Sequence, residues 1–279
     1  MLSTPEATLL VMQNNLVMEN NSATVSSTQT AKFPVLGVGV DAVQISDTVS
    51  ILQDWIARRD GCRYVAVTGM HGISEAVLDP TFRAALDAAS LRVCDGMSLV
   101  WLGRWHGHAL RRRVYGPELM DTFCSVTGAR YRHFFYGGAQ GVPENLANVM
   151  QSRHGIQVVG AYSPPFRPLT PEEDKEVIRM IEAARADVLW IGLSTPKQER
   201  WMYEHRDKLT VPVVLGVGAA FDLNTGRLSQ APRWMRENGL EWLYRLLAEP
   251  RRLWKRYLVN GPIFLWNVGL ELMSVRKFD

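Results

Sequence analysis

Between Phe33 and Val217, short runs of β-branched, aromatic or otherwise apolar residues alternate with longer stretches of helical period, which leaves few architectures open. The runs Val35–Val40, Tyr64–Thr68, Leu91–Cys94, His133–Tyr136, Gln157–Ala161, Val188–Ile191 and Val213–Val217 read as strands. Helical patterns lie between them. Asp47–Arg59 opens on a good N-cap residue, and Thr170–Ala184 carries Pro171 and Glu172–Asp174 in its first turn, where acidic side chains meet the helix dipole favourably. The repetition predicts an α/β fold: a doubly wound, mainly parallel, Rossmann-like sheet with helices on both faces.

At 279 residues, 47% apolar and 21% charged, the chain can bury a large core. Its net charge of +3 hides an asymmetry, because ten Lys/Arg stand against five Asp/Glu from Arg227 onward. Residues 227–279 therefore read as a helical, basic and aromatic C-terminal appendage to a Rossmann-like domain over 32–226. Residues 1–31, rich in Ser and Thr towards their end, read as a disordered leader; with no Lys or Arg in the first thirty positions, no signal peptide is expected. Cys62, Cys94 and Cys124 form no Cys-x-x-Cys and suit reduced, buried thiols in a cytosolic protein. The most apolar stretch, Leu258–Met273, is interrupted by Asn260, Pro262, Asn267 and Glu271, so no membrane span is expected.

Several strands end in glycine or small polar residues, and in a doubly wound sheet such carboxyl ends converge on one cleft. Gly192-Leu193-Ser194-Thr195-Pro196 followed by Lys197, Gln198 and Glu199 is a strand-to-helix turn suited to phosphate, since a new helix offers unpaired N–H groups. Asp95, at the end of Leu91–Cys94, is a candidate general base, with N-capping of the next helix as the equal alternative. Thr68 and His71 follow the preceding strand and fall near it. The histidines make a poor metal site, and no Asp-x-Asp exists to hold a divalent ion against a sugar nucleotide. Tyr136-Gly137-Gly138 opens a glycine turn without Gly-x-Gly-x-x-Gly spacing, which argues against a dehydrogenase. One arginine of the run Arg111–Arg113, turned inward, could meet a phosphate bidentately. Beyond Pro250, Arg251, Arg252, Lys255 and Arg256 are expected on one helix side, with Leu253, Trp254, Tyr257 and Leu258 on the other. Trp234, Trp242, Trp254 and Trp266 favour an anionic membrane surface over nucleic acid as its partner.

In order, Thr68, Asp95-Gly96, Arg113 with Gly116, Tyr136-Gly137-Gly138, Thr195-Pro196-Lys197-Gln198-Glu199, Gly216 to Asp222, Ala231-Pro232-Arg233-Trp234 and Gly239 to Arg245 resemble glycosyltransferase family 26, the WecG/TagA/CpsF type. The resemblance implies inverting, metal-independent transfer from a UDP-sugar to a saccharide on a polyprenyl diphosphate, with no cofactor, at the cytoplasmic face of a bacterial plasma membrane. It assigns the base to Asp95 with Thr68 nearby, a phosphate-region arginine to Arg113, and nucleotide-side groups to Gln198 and Asp222. His71, Tyr136, Gly137, Gly138, Lys197, Glu199 and Arg233 complete the expected substrate contacts, and Arg245, Arg251, Arg252, Lys255 and Arg256 the expected membrane-facing lid. A homo-oligomer is compatible with it. Two departures stand out: Met70 occupies the asparagine position of Thr-x-Asn, and Gln230 replaces the usual basic residue before Ala-Pro-Arg-Trp. The Met-His-Gly variant looks more like an exopolysaccharide β-glucosyltransferase branch than the N-acetylmannosamine branch. The rival class is a non-catalytic nucleotide- or lipid-binding regulator of polysaccharide assembly.

Overall fold

Six parallel strands make the central sheet of the computed structural model, which describes residues 30–278. Two further strands, β1 (Lys32–Val35) and β2 (Val38–Asp41), pair antiparallel beside it. The sheet holds β3 (Arg63–Thr68), β4 (Leu91–Cys94), β5 (Arg132–Gly137), β6 (Gln157–Tyr162), β7 (Val188–Gly192) and β8 (Val213–Gly216) in the order β4-β3-β8-β7-β5-β6. The leader expected over 1–31 falls, up to residue 29, outside the described residues.

Side-chain alternation along each strand separates two cores. Tyr64 and Ala66 pack with the helices Met70–Leu78, Pro80–Asp87, Pro171–Ala184 and Lys197–His205. Val65 and Val67 pack with Ile45–Arg58, Gly116–Thr127 and Val142–His154 on the opposite face. Apolar residues at both parities are what a strand covered on both faces requires. The helix after β3 lies on one face and the short helix Ala220–Asn224 after the neighbouring β8 on the other. That divergence opens the crevice at a topological switch point, beyond the carboxyl ends of β3, β4 and β8.

The single strand expected over Val35–Val40 is a hairpin. Leu36 (φ +49°) and Gly37 (φ +76°) both adopt the left-handed conformation that a two-residue turn between twisted strands demands. Glu271 fastens this turn to the last helix by accepting from Leu36 N at 2.9 Å and Gly37 N at 3.2 Å. The first helix starts at Ile45, ahead of the expected Asp47, because Asp47 serves as the third-residue partner of a capping box and accepts from Gln44 N at 2.9 Å. Pro171–Ala184 begins as expected, with Thr170 Oγ1 accepting from Glu173 N at 3.2 Å and Glu173 Oε2 accepting from Thr170 N at 2.9 Å.

Beyond residue 226 the chain is helical: Arg233–Glu237, Glu241–Ala248, Pro250–Trp254, a π-helical turn Lys255–Val259, and Asn260–Leu272. These helices belong to the same compact unit, Ala31–Asp279, as the sheet. Phe264 and Val268 join the core on the Met70–Leu78 face. None of the described helices is long and apolar enough to cross a membrane.

Candidate active site

Asp95 leaves β4 with its N–H donated to Thr68 O at 2.8 Å, which locks the ends of β3 and β4 together. The next helix, Met97–Trp105, takes Gly96 as its N-cap, so Asp95 does not cap it. Asp95 Oδ1 is shut off from solvent and has no hydrogen-bond partner among the described residues. Burial raises this carboxyl above the ordinary carboxylate range; Arg113 opposes the shift, Glu241 adds to it, and Arg245 and Arg256 oppose it further. A carboxylate so held is a stronger base than a solvated one.

The carboxylate lines a cavity of about 540 Å³ between the sheet edge and the appendage. Gly69, Met70 and His71 enter from the β3 loop, and Met97 and Trp101 from the helix after Asp95. Trp242, Arg245, Arg256, Tyr257 and Leu265 close it from the appendage. Burial, joined by the nearby Arg256 charge, lowers His71 to about 4, so at neutral pH its imidazole is uncharged. Arg256 Nε is buried without a partner, and burial lowers its guanidinium from the usual arginine value. It still carries its charge in the ordinary pH range, since arginine does not deprotonate in proteins.

Arg256 therefore departs from the amphipathic pattern expected for 251–258. Arg251, Arg252 and Lys255 are exposed as that pattern requires, but Arg256 and Tyr257 face the cavity, while Trp254 and Leu258 are exposed. The buried residue of this stretch is Leu253, and Arg256 and Tyr257 follow it by three and four residues, on the same helix face, while Trp254 and Leu258 lie off it.

Glu241 was not among the expected site residues, yet it joins the appendage to the base loop. Its buried carboxylate accepts from Tyr115 Oη at 2.9 Å and forms an ion pair with Arg113. Arg113 in turn donates to Asp95 O at 3.1 Å and stacks over the Tyr115 ring at 4.0 Å. Glu241 lies in the Gly239 to Arg245 stretch that carries the resemblance, but the resemblance assigns no role to it.

The other expected residues spread along the same sheet edge. Thr68 is buried on β3, lies under Gly72 and lines neither this cavity nor its neighbour. Gln198 is 2% exposed and spends its amide internally, accepting from Gly218 N at 2.9 Å and donating to Glu199 Oε1 at 3.1 Å. Glu199 Oε1 also accepts from Thr195 Oγ1 at 2.8 Å, while Oε2 is buried and unpartnered; burial raises this carboxyl. Lys197 is exposed over the Phe166 ring at 5.3 Å. Tyr136 is buried, stacks on Tyr162 and meets the Trp201 ring at a tilt. Gly137, at φ +120°, presses so closely on Gly192 that a Cβ would stand 2.7 Å from its carbonyl carbon. Asp222 pairs with Arg227 at 3.2 Å, and the exposed Arg233 with Glu237 at 2.8 Å. Among the described residues no three His, Cys, Asp or Glu side chains gather as a metal site.

Comparison with known proteins adds to this geometry. A protein of Staphylococcus aureus (strain MRSA252) named N-acetylglucosaminyldiphosphoundecaprenol N-acetyl-beta-D-mannosaminyltransferase is 27% identical over 250 residues, covering 89% of this chain and 96% of that protein. A protein of the same name from Bacillus spizizenii is 31% identical over 186 residues, covering 66% of this chain and 70% of its own length. The model of the glycosyl transferase WecG/TagA/CpsF family matches residues 33–277, from the first hairpin strand through the last helix, and the chain belongs to that family.

Proposed function

We propose that the chain transfers a sugar, with inversion and without a bound metal ion, from a UDP-sugar to a saccharide carried on a polyprenyl diphosphate at the cytoplasmic membrane face. The observation that carries this reading is the unpartnered, buried Asp95 carboxylate in a cavity whose other charged groups include Arg113, Arg245 and Arg256. In a single displacement Asp95 takes the proton of the acceptor hydroxyl as that oxygen bonds to the anomeric carbon. The bond from that carbon to the UDP oxygen breaks on the opposite side, and its electron pair leaves with the diphosphate. Arg245 and Arg256 meet the developing negative charge in a site shielded from water, where fixed positive charge acts most strongly. The names of the relatives support a lipid diphosphate acceptor.

The test is incubation with a panel including UDP-glucose and UDP-N-acetylmannosamine, a polyprenyl-diphosphate-linked sugar and a chelator, read by mass spectrometry. One donor is expected to give a product heavier than the acceptor by one sugar residue. UDP binding without product from any donor would replace the transferase with the regulator reading. The same panel separates a glucosyl donor, suggested by Met70, from the donor implied by the relatives' names.

Membrane docking is the second part of the proposal. Arg251, Arg252 and Lys255 are exposed alongside Trp254, Leu258, Ile263 and Trp266, a mixture suited to an anionic interface. Each cation near such a surface contributes about 1 kcal/mol. Changing the three cations to Glu is expected to lower sedimentation with anionic liposomes at low salt and leave UDP affinity intact. Equal sedimentation of both proteins would contradict docking through this face.

A further inference from the structure

A second cavity, of about 600 Å³, adjoins the first, and Met97 and Arg113 line both. Its wall gathers Arg111, Arg112, Arg113, Arg153, Arg233 and Arg236 against three carboxylates, Glu118, Asp121 and Glu237. The pairing within it is incomplete. Arg112 and Arg233 share one oxygen of Glu237, at 3.0 and 2.8 Å, Arg153 holds Asp121 at 2.8 Å, and Arg113 is committed to Glu241. Arg111 and Arg236 have no carboxylate within ion-pair distance among the described residues, and Arg236 Nε is closed off from solvent without a hydrogen-bond partner.

A concave surface with surplus guanidinium groups suits a ligand carrying several negative oxygens, and phosphate is the group that arginine meets with paired, charge-assisted hydrogen bonds. The volume falls in the range of small-ligand sites. Arg113 reaches from this wall to the backbone carbonyl of Asp95 at 3.1 Å, so the groove adjoins the loop that carries the candidate base, within reach of a phosphorylated sugar bound there.

We infer that this groove receives the diphosphate of the lipid-linked acceptor, with Arg111 and Arg236 as its uncommitted donors; the inference rests on the transferase reading above. Two diphosphates then occupy different arginine sets. The donor's lies with Arg245 and Arg256, and the acceptor's with Arg111 and Arg236. A phospholipid headgroup offers similar phosphate chemistry, so the experiment has to tell the two sources apart.

The experiment is calorimetric titration of the full chain, saturated with UDP, with geranyl diphosphate as a soluble prenyl diphosphate. Sedimentation with phosphatidylglycerol vesicles is run in parallel. The wild type is expected to bind geranyl diphosphate, and Arg111→Ala and Arg236→Ala to weaken it about tenfold each, the scale of a lost charge-assisted hydrogen bond. Vesicle sedimentation and UDP affinity are expected to stay unchanged, the latter also reporting an intact fold. Arg111→Glu, at an exposed position, is expected to weaken geranyl diphosphate at least as much. The inference is overturned if the wild type does not bind, if the variants bind equally well, or if they lose vesicle sedimentation while keeping geranyl diphosphate. Binding through Arg111 and Arg236 by a protein that transfers no sugar would support the groove and count against the transferase reading.

Discussion

Asp95→Asn is expected to slow sugar transfer by about 10²- to 10⁴-fold, the contribution of a positioned general base, and at the same time to make the protein more stable at neutral pH. The two effects have one origin. Burial raises the Asp95 carboxyl in the folded state, so between the unfolded and folded values the native protein holds more protons than the unfolded chain. Stability then falls as pH rises through that window, and the ionised form leaves the fold with a charged carboxylate whose buried oxygen has no partner. Asparagine removes the charge while nearly keeping the shape. Turnover on a lipid-linked acceptor, UDP affinity and the thermal midpoint measured together are expected to show a large drop, no change and a rise. Full turnover in the variant would remove Asp95 from the chemistry.

Arg113→Ala is expected to lower unfolding free energy by roughly 3–5 kcal/mol, the cost of removing one partner from a buried ion pair. The side chains of Arg113 and Glu241 are only 14% and 8% exposed, so solvent does little to screen the Glu241 carboxylate left behind. Tyr115 Oη would remain to donate to it, which places the expected value toward the lower end. Glu241→Gln is expected to cost less, because the amide can still accept from Tyr115 and Arg113, and the Asp95 charge remains near the guanidinium that loses its partner. Urea denaturation of the three proteins checks both, and a loss below about 1 kcal/mol for Arg113→Ala, the scale of an exposed pair, would show that the link between appendage and base loop is weak. Because this pair joins Glu241–Ala248 to the Asp95 loop, both variants are also expected to lose activity.

The strands of the sheet were legible because burial on both faces leaves near-continuous apolar runs: Leu91–Cys94 is the strand as read, and Val188–Ile191 falls short by one glycine. The hairpin at Leu36-Gly37 was not. Its first turn residue is a leucine in a left-handed conformation, in place of the Asn or Asp that usually marks such a turn, and the apolar run passes through it unbroken. That the β3 and β4 loops line one cavity was legible because glycine follows Thr68 and Asp95 at strand ends. Partnerships across the chain were not: Arg113 and Glu241 are 128 residues apart, and no local period links them. The cavity-facing place of Arg256 follows from Leu253, three residues earlier, being the buried centre of that helix face, which a grouping of residues by charge does not single out. Gln198 was read as a ligand contact from its place in the turn; the partners of its amide, Gly218 and Glu199, were not legible.

The measurement that bears most directly on Asp95 as the base is the pH dependence of kcat/KM for transfer to the lipid-linked acceptor, in wild type and Asp95→Asn side by side. A base must be ionised to act, so wild-type kcat/KM is expected to rise with pH along an acid limb displaced above the ordinary carboxylate range, as burial of Asp95 requires. In the variant, the small residual rate is expected to lack that limb. The same limb in both proteins, at the same pH, would contradict the account and assign the proton transfer to another group.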